Sequence, residues 1–179
     1  MFVQKQLNSA MRLIECVTGE VKLVNIVNAC KNIGCASQSE LGQRNALAKA
    51  LRVASELDAN KELFESSTVV LKRMDAEIEL HNCQNMRFKL SAEEIAGKHK
   101  TTIRILTLEP QVERLENAIK AAEAEGIDAN ADLIEKSKTK LEDMRKEYEE
   151  AQIEDAERLK AEEEAAMMKK KKKKKKKKK

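Results

Sequence analysis

The chain has 179 residues, of which 37% are charged and 2% aromatic, with one Tyr, three Phe and no Trp. Any core must therefore be aliphatic, and a single-strand nucleic-acid site built on stacked rings is excluded for want of rings. The formal charge of +4 comes entirely from a closing run of eleven lysines, without which it would be −7.

One proline and five glycines leave few breakers, so long helices and an all-α fold are expected. The opening stretch MFVQKQLNSAMRLIECV is interrupted by Lys5, Arg12 and Glu15, unlike the apolar core of a secretory signal. No stretch approaches the ~18 apolar residues of a membrane-spanning helix. A soluble, cytoplasmic chain is the expectation. Cys16, Cys30, Cys35 and Cys83 lack disulfide-framework spacing and read as reduced, apolar core residues.

In chain order, Val3, Leu7, Ala10, Met11, Ile14 and Val17 form one apolar stripe on a helix predicted to end near Thr18-Gly19. Leu23, Ile26, Val27, Cys30 and Ile33 form a second helix stripe, closed by Gly34. Ser37-Gln38-Ser39-Glu40 has capping-box spacing and opens a third helix to about Leu57. Asp58-Ala59-Asn60 caps a fourth, through Leu63, Phe64, Val70, Leu71, Met74 and Ile78; a second capping box at Ser91-Ala92-Glu93-Glu94 suits a break near Leu90, although the apolar pattern could also carry straight through.

The run TTIRILTL, Thr101 to Leu108, is rich in β-branched residues, but a lone strand would have no partner. It is read as helix or irregular connection ended by Pro110, whose ring disfavours helix at Glu109 and suits a new first turn. A helix from Pro110 to Glu125, a turn at Gly126-Ile127-Asp128 and a very polar helix from about Ala129 to Met168 complete the folded part. Along that last helix Ile134, Leu141 and Tyr148 fall seven apart, with Met144 and Ala151 beside them, before the pattern weakens at Ile153, Ala156 and Leu159, which suits either a coiled-coil seam or a lone solvated helix.

The expected architecture is thus antiparallel helical hairpins or an irregular helical bundle, then a long charged helix and a disordered poly-lysine tail. By residue, 1–90 is a hairpin bundle, 91–109 a connecting helix or irregular segment, 110–168 a hairpin with a long polar helix, and 169–179 the tail. AAA encodes lysine, so an open reading frame running into A-rich sequence yields the same homopolymer.

Self-similarity is the strongest organisational signal. Leu47–Met74 aligns with Leu115–Met144 across a two-residue insertion ahead of a shared Asp-Ala-Asn, matching Leu47 with Leu115, Ala50 with Ala118, Asp58 with Asp128, Leu63 with Leu133, Ser67 with Ser137 and Leu71 with Leu141. Leu23 to Leu41 is a weaker third copy, and each unit reads as helix, capped turn, helix.

Chemical motifs are sparse. Ala96-Gly97-Lys98-His99 lacks the features of a phosphate loop: Ala92 stands where its first glycine would, and His99 where its Ser or Thr would. His81 and Cys83 with Cys30 and Cys35 form the one conceivable zinc set, but His-x-Cys on a helix points its side chains about 200° apart. No catalytic residue, cofactor or metal ligand is assigned. The lysines Lys169, Lys170, Lys171, Lys172, Lys173, Lys174, Lys175, Lys176, Lys177, Lys178 and Lys179 are candidate polyanion contacts, sequence-blind and salt-sensitive, toward nucleic acid, acidic tubulin tails or anionic membrane.

The unit Leu115–Met144, with its Ala-Ile pair, Gly-Ile-Asp turn and Leu-Ile opening of the return helix, resembles short helical-hairpin modules of multidomain ciliary and signalling proteins of algae and other protists. The resemblance spans about thirty residues, once or twice, and implies an interaction or spacer element with a protein partner, at the cytoskeleton or cilium. The expected function is a non-enzymatic helical interaction or scaffold protein, a fragment of a larger protein being one form of it. The alternative is a basic-tail protein that binds polyanions through its lysines.

Overall fold

The computed structural model describes residues 2–31, 33, 38–86, 88–124 and 126–176, with backbone alone for 2, 3, 38, 39 and 171–176. Among the described residues six helices follow one another: α1 Phe2–Cys30, α2 Gln38–Glu56, α3 Lys61–Asn85, α4 Ala92–Ile95, α5 Lys100–Ala122 and α6 Ala131–Lys176. No strand occurs among the described residues, and the fold is all-α as expected. None of the described helices is long and apolar enough to cross a membrane.

The chain forms two compact units, and they cut across the sequential division into 1–90, 91–109 and 110–168. The first is Met1–Asn85 with Asn117–Lys138; the second is Met86–Glu116 with Thr139–Lys179. Chain order is not contact order here: Glu77 and Gln84 of α3 hydrogen-bond Asn130 and Ser137, across the turn that joins α5 to α6.

In the first unit α1, α2 and α3 make an up-down-up bundle around Leu23, Val27, Cys30, Leu47, Leu51, Ala54 and Met74. The boundary predicted at Thr18-Gly19 does not exist, because α1 runs 29 residues without a break. Gly19 has a packing role instead: a Cβ there would sit 3.0 Å from Leu57 Cδ1, so its absence lets the turn after α2 approach α1 closely. The stop expected at Gly34 and the cap at Ser37 lie outside the described residues; α1 ends at Cys30. Its last carbonyls are held by Arg73 of α3, which donates to Cys30 O at 2.5 Å, Ile33 O at 3.2 Å and Lys31 O, where a helix C-terminus favours a cation. Arg44 and Asp75 pair at 2.6 Å between α2 and α3.

The Asp58-Ala59-Asn60 turn forms as its sequence predicts. Asp58 takes a left-handed φ of 53°, and Asn60 Oδ1 accepts from Glu62 N and Leu63 N at 2.9 and 3.2 Å. Ser91 likewise makes the full capping box with Glu94, opening the single turn α4.

Pro110 neither ends a helix nor starts one; α5 passes through it. Leu108 and Leu115 are buried on either side of it, so packing outweighs the hydrogen bond that the ring removes. Gln111 Nε2 also donates to Thr107 O at 2.9 Å, meeting one carbonyl of the disturbed turn. The β-branched run before it is helical, as read.

In the second unit the early part of α5 runs antiparallel to α6. Arg104 pairs with Glu147 at 3.0 Å, and Arg145 with Glu116 at 2.8 Å. Leu141 and Ala151 are buried and Tyr148 half-buried, so this stretch of the expected coiled-coil seam is covered within its own unit. α6 continues past the expected end at Met168 to Lys176. Lysine is a fair helix former and cations suit a helix C-terminus, so an established helix extends into the run. Lys177, Lys178 and Lys179 lie outside the described residues.

Candidate functional site

The exposed side of α1 is the feature of this structure that packing leaves unexplained. Two stripes share the helix. Leu23, Val27 and Cys30 are buried in the bundle, with Ile26 packed beside them. Leu7, Ile14, Val17 and Val21 are each more than half exposed, at 52, 65, 51 and 56%, and Met11, Leu13 and Val24 are exposed beside them. At 100° per residue the two stripes lie about 160° apart. A continuous helix therefore anchors one face in the core and turns an aliphatic face outward.

The outward face has a seven-residue period: Leu7, Ile14 and Val21 in one column, Ala10, Val17 and Val24 in the next. Over the 18 residues from Leu7 to Val24 it is about 26 Å long. The flanking positions Gln6, Met11, Leu13, Thr18, Glu20 and Asn25 carry a single charge. That charge is engaged at home, since Glu20 Oε1 accepts the Asn60 backbone N–H at 2.7 Å. Arg12 points away from the stripe to Asp58 at 3.4 Å. Beside it, between α1 and α2, lies an open groove of about 210 Å³ floored by Gly19, Ile26, Ala46 and Ala50, with Lys22 and Lys49 at its rim.

The candidate residues of the sequence meet different fates. Cys30 is buried with its thiol 3.9 Å from Gln43 O, and burial pushes its pKa up while Arg73 pulls the other way. Cys83 is also buried, Cys35 lies outside the described residues, and no three His, Cys, Asp or Glu side chains among the described residues are placed to hold a metal ion. Lys98 donates to Glu94 O at 2.6 Å, and the His99 ring contacts the Thr101 hydroxyl at 2.9 Å at the start of α5. That geometry closes a helix turn and leaves no phosphate cradle. Thr101 and Thr102 instead donate to Asp155 at 2.6 and 2.9 Å, and Arg158 adds a further bond at 2.8 Å. These hydrogen bonds, Thr101's foremost, lower the Asp155 pKa to about 2 and tie α6 to α5. Lys169 and Lys170 are exposed.

The positions aligned between the two hairpins perform the same local tasks. Leu47 and Leu115 are buried, as are Ala54 and Ala122. Asn60 and Asn130 each cap the return helix, and the backbone N–H of each donates to a carboxylate from an earlier helix, Glu20 and Glu77. Ser67 and Ser137, both fully buried, donate to Leu63 O and Leu133 O at 2.6 and 2.8 Å. The two carboxylates were not singled out by sequence pattern; an acidic residue facing the core side of an otherwise apolar stripe is the signal that could have found them. The outward face of α1 was legible only as a stripe, because a break at Gly19 would have turned both stripes toward one core.

No known family, curated protein or solved structure matches this chain.

Proposed function

We propose that this chain is a non-enzymatic helical interaction protein, a scaffold or spacer assembled from repeated helix-turn-helix units, with α1 as its docking element. The observation that carries it is the bifacial α1: one stripe is anchored in the bundle while about seven aliphatic side chains face outward on a helix already formed. Contiguous exposed apolar surface of a few hundred Å² is what interaction sites present. The matching caps and buried serines of the two hairpins support a repeat, and the likeness of Leu115–Met144 to modules of ciliary and signalling proteins points to a cytoplasmic partner at the cytoskeleton or cilium.

The test is a comparison of three full-fold variants in binding assays at physiological salt: the whole chain, Ile14→Lys with Val21→Lys, and the chain ended at Met168. A protein partner lost with the α1 substitutions and kept on truncation supports the proposal. If truncation alone abolishes specific binding, while the α1 substitutions do nothing, the lysines are the functional part and the proposal is overturned.

A further inference from the structure

The outward face of α1 must be covered by something uncharged and aliphatic, and its residue order fits itself. We propose that two copies of this chain pair antiparallel through α1, with Leu7 of one against Val24 of the partner subunit; this deepens, and rests on, the interaction function above. In that register the layers along the seam are Leu7 on Val24 of the partner subunit, Ala10 on Val21 of the partner subunit, and Ile14 on Val17 of the partner subunit. Every layer then contains a valine, so neither Ala10 faces another alanine. A parallel pair would set Ala10 against Ala10 of the partner subunit and leave a gap in the second layer, which close-packed interfaces avoid.

Charge favours a second copy over a charged partner. The seam itself has no ionisable side chain, and the lone charge beside it, Glu20, is held by the Asn60 N–H. Nothing on the face calls for a complementary charge, and nothing repels an identical face. Lys5, Arg12, Glu15 and Lys22 sit outside the seam.

Area is sufficient as well. Taking roughly 100 Å² of apolar surface per aliphatic side chain, the fractional exposures along the face amount to about 400 Å² per copy. With about 65% of a homodimer interface apolar, two copies would bury about 1,200 Å², the lower bound of stable, specific interfaces. The ordering cost is already reduced, since the bundle anchors the second half of α1 and the helix does not have to nucleate on binding. The antiparallel register also lays the first half of each α1, which touches little of its own chain, along the anchored half of the other.

The experiment is sedimentation equilibrium of the purified full-length chain over about 1 to 200 μM, where a modest interface of this kind should show its midpoint. The expected result is a monomer–dimer equilibrium whose Kd rises at least tenfold in Ile14→Lys with Val17→Lys, with helical circular dichroism and denaturation midpoint preserved in the dilute monomer. Orientation is read by disulfide trapping in a Cys16→Ser, Cys35→Ser background: Leu7→Cys mixed with Val24→Cys should cross-link, and Leu7→Cys alone should not. A chain that stays monomeric throughout overturns the pairing, as does cross-linking of Leu7→Cys to itself in place of the mixed pair. Monomeric chain that still loses a foreign protein partner on α1 substitution ends the self-pairing and leaves the interaction function standing; loss of neither ends both.

Discussion

The two stripes of α1 are made of similar aliphatic residues and have opposite fates. Leu23, Val27 and Cys30 are sealed in the bundle, whereas Leu7, Ile14, Val17 and Val21 face out. Hydrophobicity does not distinguish them. What does is the phase of each stripe on a common helix, together with a single missing Cβ at Gly19 that lets Leu57 approach one side. An apolar stripe is evidence that something covers it, and only the continuity of the helix decides whether that cover comes from the same chain.

The sharpest way to break this comparison is to truncate one residue in each stripe. Leu23→Ala empties a fully buried site and should cost about 2–5 kcal/mol, whereas Ile14→Ala should cost less than about 0.5 kcal/mol in the dilute monomer. Urea denaturation below the association midpoint measures both. Equal losses would mean that the outward stripe of α1 is packed against its own chain after all.

Gly19→Val probes the close approach of Leu57 to α1. Its side chain would meet Leu57 Cδ1, which must shift to admit it, and the expected outcome is an overpacking loss of about 1–3 kcal/mol. Were glycine at this position serving only to end a helix, valine would lengthen the helix and raise the denaturation midpoint.

The sequence conveyed much of this fold and misassigned its punctuation. The caps at Asn60 and Ser91 were legible because their chemistry is local: a side-chain oxygen reaches N–H groups two or three residues away. Gly19 and Pro110 were misread for the opposite reason. Whether a breaker breaks depends on Leu57 in one case, and on the burial of Leu108 and Leu115 in the other, and those are long-range facts. The candidate site inherited the error, since splitting α1 erases its second face. The seam at Leu141 and Ala151 shows the converse, a coiled-coil pattern covered within its own unit.

Anchoring of α1 extends to the cap of the next return helix, and Asn60→Ala should cost about 1 kcal/mol. It removes the acceptor for Glu62 and Leu63 while leaving the Glu20 bond to the backbone N–H of residue 60. Asn130→Ala should lose a similar amount if the two hairpins are equivalent units. A marked inequality, measured by denaturation of the two variants side by side, would separate them.

The second unit supplies a pH-dependent form of the same anchoring. Asp155 has a folded pKa of about 2, below its ordinary value of 3.8, because the charged form accepts from Thr101, Arg158 and Thr102. A depressed acid stabilises the fold fully above the ordinary value and loses that contribution as pH falls from about 3.8 toward 2. Asp155→Asn should therefore flatten the acid limb of stability in that window and change little in the shape of the curve at neutral pH. Thermal melts of the two proteins between pH 5 and 2 follow the difference; parallel curves would mean that the Asp155 contacts do not persist in solution.

The smallest effect is expected at the other unanchored end of the molecule, and it completes the contrast with α1. Both the first half of α1 and residues 161–170 of α6 are exposed, but one surface is aliphatic and the other is charged. Ending the chain at Met168 shifts the formal charge from +4 to −7 and removes only lysines, of which Lys169 and Lys170 are exposed. Stability should change by less than about 0.5 kcal/mol, as for other surface changes. Binding to a polyanion such as heparin should fall steeply and lose its salt dependence, because the counterions released by the lysines drive it. Association through α1 should be unchanged at physiological salt, because the seam itself carries no ionisable side chain. If removal of the lysines instead abolished the pairing of α1, the aliphatic seam would not be its source, and the two exposed ends would have to act together.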